Sequence, residues 1–145
     1  MNEMKEIIAA VTACKGADFE LQPLKIRQPQ GDEVLVKVVA TGMCHTDLIV
    51  RDQYYPVPLP AVLGHEGAGI IEAIGPNVTD LQVGDHVVLT YGYCGKCTQC
   101  NTGNPAYCAE FFGRNFSGAD LEGHSAICTH DHAVVHDHFF AQSSF

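Results

Sequence analysis

Tryptophan is absent, and positive charge is scarce: 8 Lys and Arg stand against 17 Asp and Glu, for a formal net charge of −9. That balance speaks against nucleic acid as a partner, because phosphate binding draws on a Lys/Arg excess. No apolar run approaches the roughly 20 residues of a membrane span, so no membrane partner is expected. The opening Met-Asn-Glu-Met-Lys-Glu holds two acids and leads into no secretion-type apolar stretch. A chain without a signal peptide, in a cytoplasmic setting, is therefore expected. Charged residues make up only 17% of the chain, below the roughly 25% of ordinary globular chains. Part of the surface is expected to be covered by something else. Disorder is excluded by a hydrophobic content of 46% and a mean hydropathy of +0.03. A length of 145 residues suits one domain with its own core.

Cysteine and histidine, by contrast, are plentiful, at seven and eight. An odd cysteine count in a chain without an export signal favours reduced thiols and metal over a disulfide framework. Four thiols lie close together, as Cys94-x2-Cys97-x2-Cys100-x7-Cys108. Two Cys-x2-Cys steps let tight turns present paired sulfurs to one ion, and four thiolates close a tetrahedron around zinc. The alternative is two disulfides or four idle thiols. Residues 91–109 hold few large aliphatic side chains, so a metal would stand in for a core there. Four thiolates with one Zn²⁺ take the net charge from −9 to about −11. Such a site has no open coordination position and is expected to be structural.

The remaining chain reads as mostly β. Residues 5–13 and 18–26 look like strands joined by a turn, and Glu33–Thr41, rich in valine, looks like a buried strand. Residues 46–53 predict a short helix capped by His45 or Thr46, with Asp47 in its first turn. Tyr54–Pro60 holds three prolines and must be extended or turning. Gly64–Gly75 reads as a strand interrupted by glycines, His86 as the start of a strand, and Phe139–Phe145 as another strand. Cys14 and Cys128 read as buried inert thiols. His124, His130, His132, His136 and His138 read as solvated loop residues, with an adventitious metal site as the alternative. Tyr54, Tyr55, Tyr91 and Tyr93 either line an aromatic pocket or pack at the core and rim.

Gly67-x-Gly69-x-x-Glu72 is a near miss for a dinucleotide loop. It lacks the third glycine and the helix that should follow, so it is not read as one. Cys44-His45-Thr46-Asp47 sets a thiol, an imidazole, a hydroxyl and a carboxylate side by side. Cys44 and His65 can supply two ligands of a catalytic zinc, which keeps one position open. A buried thiol and an unrelated loop histidine is the alternative.

Gly42-Met-Cys-His-Thr-Asp47, Gly64-His-Glu-x2-Gly69-x5-Gly75 and the four-cysteine lobe carry a family likeness. From about Lys5 to its end the chain resembles the catalytic domain of the zinc-containing medium-chain alcohol dehydrogenases. The likeness is greatest to the bacterial aryl-alcohol (benzyl alcohol) dehydrogenases. It implies a mainly β, partly open barrel of the GroES-like type over residues 1–145, with a structural zinc lobe at 91–109. It implies that Cys44 and His65 bind the catalytic zinc, and that Cys94, Cys97, Cys100 and Cys108 bind the structural one. Thr46 would relay the alcohol proton, Asp47 would orient the ligating histidine, Glu66 would stand behind the zinc, and His45 would contact the cofactor pyrophosphate. The implied reaction is oxidation of an aryl primary alcohol to the aldehyde, with NAD as hydride acceptor.

Two departures matter. Some family members carry a histidine three residues after the relay hydroxyl, where this chain has Ile49. The third zinc ligand and the Rossmann domain that binds NAD are both expected beyond residue 145. A truncated enzyme follows, its partners a small-molecule alcohol or aldehyde, the missing domain, and in self-association a second copy. Alone it is expected to be inactive. A freestanding zinc-binding module would need both sites complete within the chain. A GroES-like structural subunit would have no use for Cys44, His65 and Glu66.

Overall fold

The computed structural model describes residues 3–145, so the first two residues of the N-terminal segment read above lie outside it. Alternation sets the first strand. In β1 (Lys5–Thr12), Ala9 and Val11 are buried on one face while Ile8, just before them, faces out. β1 pairs antiparallel with β2 (Phe19–Ile26) from Lys5↔Ile26 to Thr12↔Phe19. The other strands among the described residues are β3 (Val34–Thr41), β4 (Ala61–Val62), β5 (Gly67–Ile74), β6 (His86–Val88), β7 (Ile127–Cys128) and β8 (Val134–Val135). Three short helices accompany them: α1 (His45–Arg51), α2 (Thr98–Asn101) and α3 (Phe111–Phe116).

One sheet runs β4-β1-β2-β7-β8 and nearly closes on itself, through a bridge between Ala61 and His136. The Val62 N–H donates to the His136 carbonyl at 2.9 Å, and the His136 N–H to that of Pro60 at 2.8 Å. These bonds join the two edge strands, which is how a barrel removes exposed edges. Pro23 is tolerated inside β2 because β7 pairs only with Lys25 and Ile26. The second sheet is β3-β5-β6, antiparallel throughout. Gly69 of β5 lies opposite Val38, beside an irregularity in β3. A Cβ at Gly69 would come within 2.2 Å of the Lys37 carbonyl oxygen, so only glycine allows this approach.

Two apolar clusters hold the molecule. The first fills the barrel with Ala9, Val11, Leu24, Val62, Ile127 and Val135. The second packs Val50 of α1 with Val57, Ala61, Leu63 and Phe139. Phe145 packs against both. A cavity of about 940 Å³ opens between the sheets, lined by β1, β3 and the C-terminal segment.

Several expectations are corrected. β3 is not buried: its C-terminal half is exposed, Val39 at 68%. Valine runs report β propensity, and β3 is the edge strand of its sheet, with Val38 and Val39 exposed. α1 begins at His45 with Cys44 as its N-cap, and the Asp47 carboxylate bonds back to the Cys44 N–H at 3.2 Å. Phe139–Phe145 is not a strand. Residues 139–141 form a 3₁₀ turn, and His138, Phe140, Ala141 and Ser143 all have positive φ. Only the last two residues bond as a strand would, Ser144 to Gly64 and Phe145 to Leu63 and Ala10. α3 went unforeseen because six residues are too few to show a helical period. Cys14 is exposed and Cys128 half-buried, so neither is a core thiol. His136 and His138 are half-buried and bonded rather than solvated.

Leu63 has no exposed surface. Leu63→Ala is expected to lower stability by about 3 kcal/mol, read from urea unfolding midpoints at constant slope. A loss below about 1 kcal/mol would contradict its place in the core.

Candidate metal centres

The lobe between residues 91 and 109 is built almost without apolar burial, Cys108 being its single buried residue. α2 and a 3₁₀ turn at Pro105–Tyr107 bring the thiols together. The four sulfurs lie within 4.8 Å of one another. Cys97 and Cys100 are 3.5 Å apart, and Cys94 and Cys100 3.9 Å. A tetrahedron with metal–sulfur bonds of about 2.3 Å has edges of about 3.8 Å, so the set fits zinc.

Backbone N–H groups are aimed at these sulfurs. Cys94 Sγ accepts from Cys97 at 3.3 Å, and Cys108 Sγ from Cys94 at 3.3 Å and Glu110 at 3.4 Å. The N–H groups of Ala109 and Cys100 bring the Cys97 thiol down to about 6. Burial, then the neighbouring Cys97, pushes Cys100 up to about 12. Cys100 therefore does not become a thiolate at neutral pH without a cation to offset the charge. Asn115 ties the lobe to α3. Fully buried, it accepts the Gly92 N–H at 2.7 Å and donates to the Gly92 and Phe111 carbonyls.

The second group lies where α1 meets the turn before β5. Cys44, His65 and Glu66 each place a ligand atom within 4.8 Å of the others. Asp47 is 2% exposed and its carboxylate joins the two segments. It accepts the Cys44 N–H at 3.2 Å, the Gly64 N–H at 3.0 Å and His65 Nδ1 at 3.2 Å. A carboxylate only accepts, so Nδ1 carries the hydrogen and Nε2 offers its lone pair. Gly64 holds φ +87°, and a Cβ there would sit 2.6 Å from the Phe145 nitrogen. The turn that aims His65 thus requires glycine.

Aromatic rings fix the other side of the imidazole. Phe140 stacks on it at 4.7 Å, and Phe139 meets it edge-on at 5.4 Å. Thr46 stands beside the Cys44 sulfur, with Oγ1 at 3.5 Å. The Thr46 hydroxyl, then its N–H, then His65, hold the Cys44 thiol below its ordinary value. His45 and Glu66 are exposed, and a Glu66 carboxylate oxygen lies within 4.8 Å of the Cys44 and His65 ligand atoms. None of Cys44, His65 and Glu66 lines the 940 Å³ cavity, so size is no guide to the chemistry here. Asn115 and Asp137 were missed in the sequence. Single buried polar residues leave no spacing pattern to find.

A small barrel with a thiol, an imidazole and a carboxylate brought together at its loops, and a separate lobe of four thiols, offers two groups that could hold a metal ion. The alcohol dehydrogenase GroES-like domain matches residues 30–142, and the chain belongs to that family. It is 44% identical over its whole length to geraniol dehydrogenase of Castellaniella defragrans, covering 39% of that protein. Benzyl alcohol dehydrogenase from Acinetobacter calcoaceticus is 86% identical, with a TM-score of 0.90 over 97% of this chain and 37% of its own. An alcohol dehydrogenase zinc-binding domain protein from Burkholderia ambifaria is 63% identical, with a TM-score of 0.96 over 99% of this chain and 39% of its own. The chain thus spans about two-fifths of the length of these relatives. The fold is the GroES-like barrel of alcohol dehydrogenases, and the relatives together with the four-cysteine cluster support zinc. No helix among the described residues is long and apolar enough to cross a membrane.

Chelation of a metal held by the lobe is expected to open Cys94, Cys97, Cys100 and Cys108 to iodoacetamide at about pH 7, since the free thiolate is the reacting form. Peptide mapping by mass spectrometry reads the labelling with and without chelator. Equal labelling of the four thiols in the two states would contradict a metal held there.

Proposed function

We propose that this chain is the alcohol-binding half of a zinc- and NAD-dependent dehydrogenase acting on aryl primary alcohols. The convergence of Cys44, His65 and Glu66, tied from behind by buried Asp47, carries the reading. Cys44 and His65 would hold the catalytic zinc, and Cys94, Cys97, Cys100 and Cys108 the structural one. Zinc at the first site makes a bound hydroxyl more acidic and so favours hydride departure to a nicotinamide. The chain's own residues prepare this. Asp47 fixes the tautomer and angle of His65 and raises its basicity. Thr46 Oγ1 takes the alcohol proton and passes it outward. Ile49 offers no further donor, so the proton continues to the cofactor ribose, another group or water. Exposed His45, at the start of α1, contacts the cofactor pyrophosphate.

The aryl preference is supported by the rings beside His65. Phe140 packs against Phe116 at 5.2 Å and Phe111 at 6.2 Å, with Tyr55 and Tyr91 beyond them. The 86% identity to a benzyl alcohol dehydrogenase points the same way. A third zinc ligand and the NAD-binding Rossmann domain come from the rest of a longer parent chain. That chain, or a second copy, covers the exposed Val39, Val83 and Val88. The 145 residues alone are inactive and hold one zinc tightly, in the lobe.

Two measurements test this. Parent-length protein is expected to reduce NAD with benzyl alcohol, and Cys44→Ala to lower kcat/KM at least about 1,000-fold; unchanged turnover defeats the assignment. In the same parent-length protein, Asp47→Ala is expected to weaken zinc at the Cys44–His65 site by about 10–100-fold. Chelator competition reads that loss, with the lobe as internal control. Equal affinity in the variant removes Asp47 from its orienting role.

A further inference from the structure

A second, part-buried charge cluster surrounds His138, the residue before Phe139, and nothing in the proposed chemistry uses it. Asp137, 3% exposed, accepts the Ala126 and Ile127 N–H groups at 2.6 and 2.9 Å. It also bonds to Nδ1 of His138. The other ring nitrogen, Nε2, lies 3.1 Å from Glu33 Oε1. Glu33 in turn takes Arg27 Nη2 at 3.0 Å and the Gln30 N–H at 2.8 Å. Arg27 reaches Asp120 at 3.1 Å. The groups around His138 are therefore Asp137 on its own segment, Glu33 from the loop before β3, Arg27 from the end of β2, and Asp120 from the loop after α3.

Both ring nitrogens face carboxylates, which only accept. A neutral imidazole has one donor and would turn a lone pair on the second carboxylate. The geometry is satisfied by the imidazolium alone. His138 also opens the run of positive φ at His138, Phe140, Ala141 and Ser143. Non-glycine residues hold such angles only where their surroundings impose them. That strap seats Phe139 and Phe140 on His65, and ends in the bonds of Ser144 to Gly64 and of Phe145 to Leu63 and Ala10.

We infer that His138 is a proton-held clasp: its imidazolium, gripped between Asp137 and Glu33, fixes the strap over residues 138–145, and loss of that proton releases the strap and its rings from His65. The direction of the ring's titration agrees. Burial pulls it down, but Asp137 and then Glu33 reverse this, so it lies above its ordinary 6.5. Glu33 stays ionised throughout, since Arg27 and the Gln30 N–H overcome its burial and hold it at about 2. A group raised on folding stabilises fully below its unfolded value, and this contribution disappears as pH rises through the folded one. The clasp is independent of whether His65 binds zinc.

Amide hydrogen exchange on the full chain tests it, with rates corrected for intrinsic base catalysis. Between about pH 6 and pH 9, protection at Ala10, Ser144 and Phe145 is expected to fall at least about tenfold. The β1–β2 ladder amides should stay protected. Flat protection at the three reporters overturns the clasp, and so does a parallel loss in the ladder, which would be global unfolding. His138→Gln is expected to show low, pH-independent protection at the reporters; an unaltered transition in it overturns the proposal. Should that variant not fold, Glu33→Gln decides: the midpoint must move down toward 6.5, and an unmoved midpoint removes Glu33 from the grip.

Discussion

One buried carboxylate sets the geometry on which the Cys44–His65 pair depends. Asp47 has three donors converging on it from two stretches of chain far apart in sequence. A carboxylate so placed costs energy unless each lone pair is used. Here the use is also a measurement: the Cys44 and Gly64 N–H groups fix how far α1 stands from the turn before β5. The sulfur and imidazole inherit that spacing. Gly64 completes the constraint, because its positive φ and its closeness to Phe145 leave no room for a side chain.

The two thiol-bearing sites differ in what holds them. The open pair rests on a frame that exists without an ion, made of a buried acid, a fixed turn and aromatic packing. The lobe has N–H groups and one buried asparagine, and its four sulfurs have little else to hold them. The contrast fits the two roles proposed for them, one zinc acting on a substrate and the other replacing a core.

The two strands of the first hairpin, the extended proline segment, the helix after Cys44 and the four-cysteine knot were legible in the sequence, because each leaves a periodic or spaced trace. Cys44, His65 and Asp47 were legible as a set through family likeness, and the coordinates bring them together. What stayed hidden was tertiary. Whether β3 is covered depends on what lies over it, and valine content does not say. His138 resembled its solvated neighbours, since nothing local marks that Glu33, over a hundred residues earlier, stands opposite. The final segment had strand composition, yet its backbone is bent by side-chain anchors that composition does not record.

The barrel and the lobe reach order by different routes. Hydrophobic contacts draw the strands together in any aqueous setting, whereas the lobe has almost no oily interior to collapse upon. With zinc as its proposed organiser, the lobe's final shape is conditional on a supply of ions, and a cell short of them would accumulate molecules with a finished body and an undone loop. Newly made protein in that condition would offer clustered, readily oxidised sulfur on an otherwise native surface.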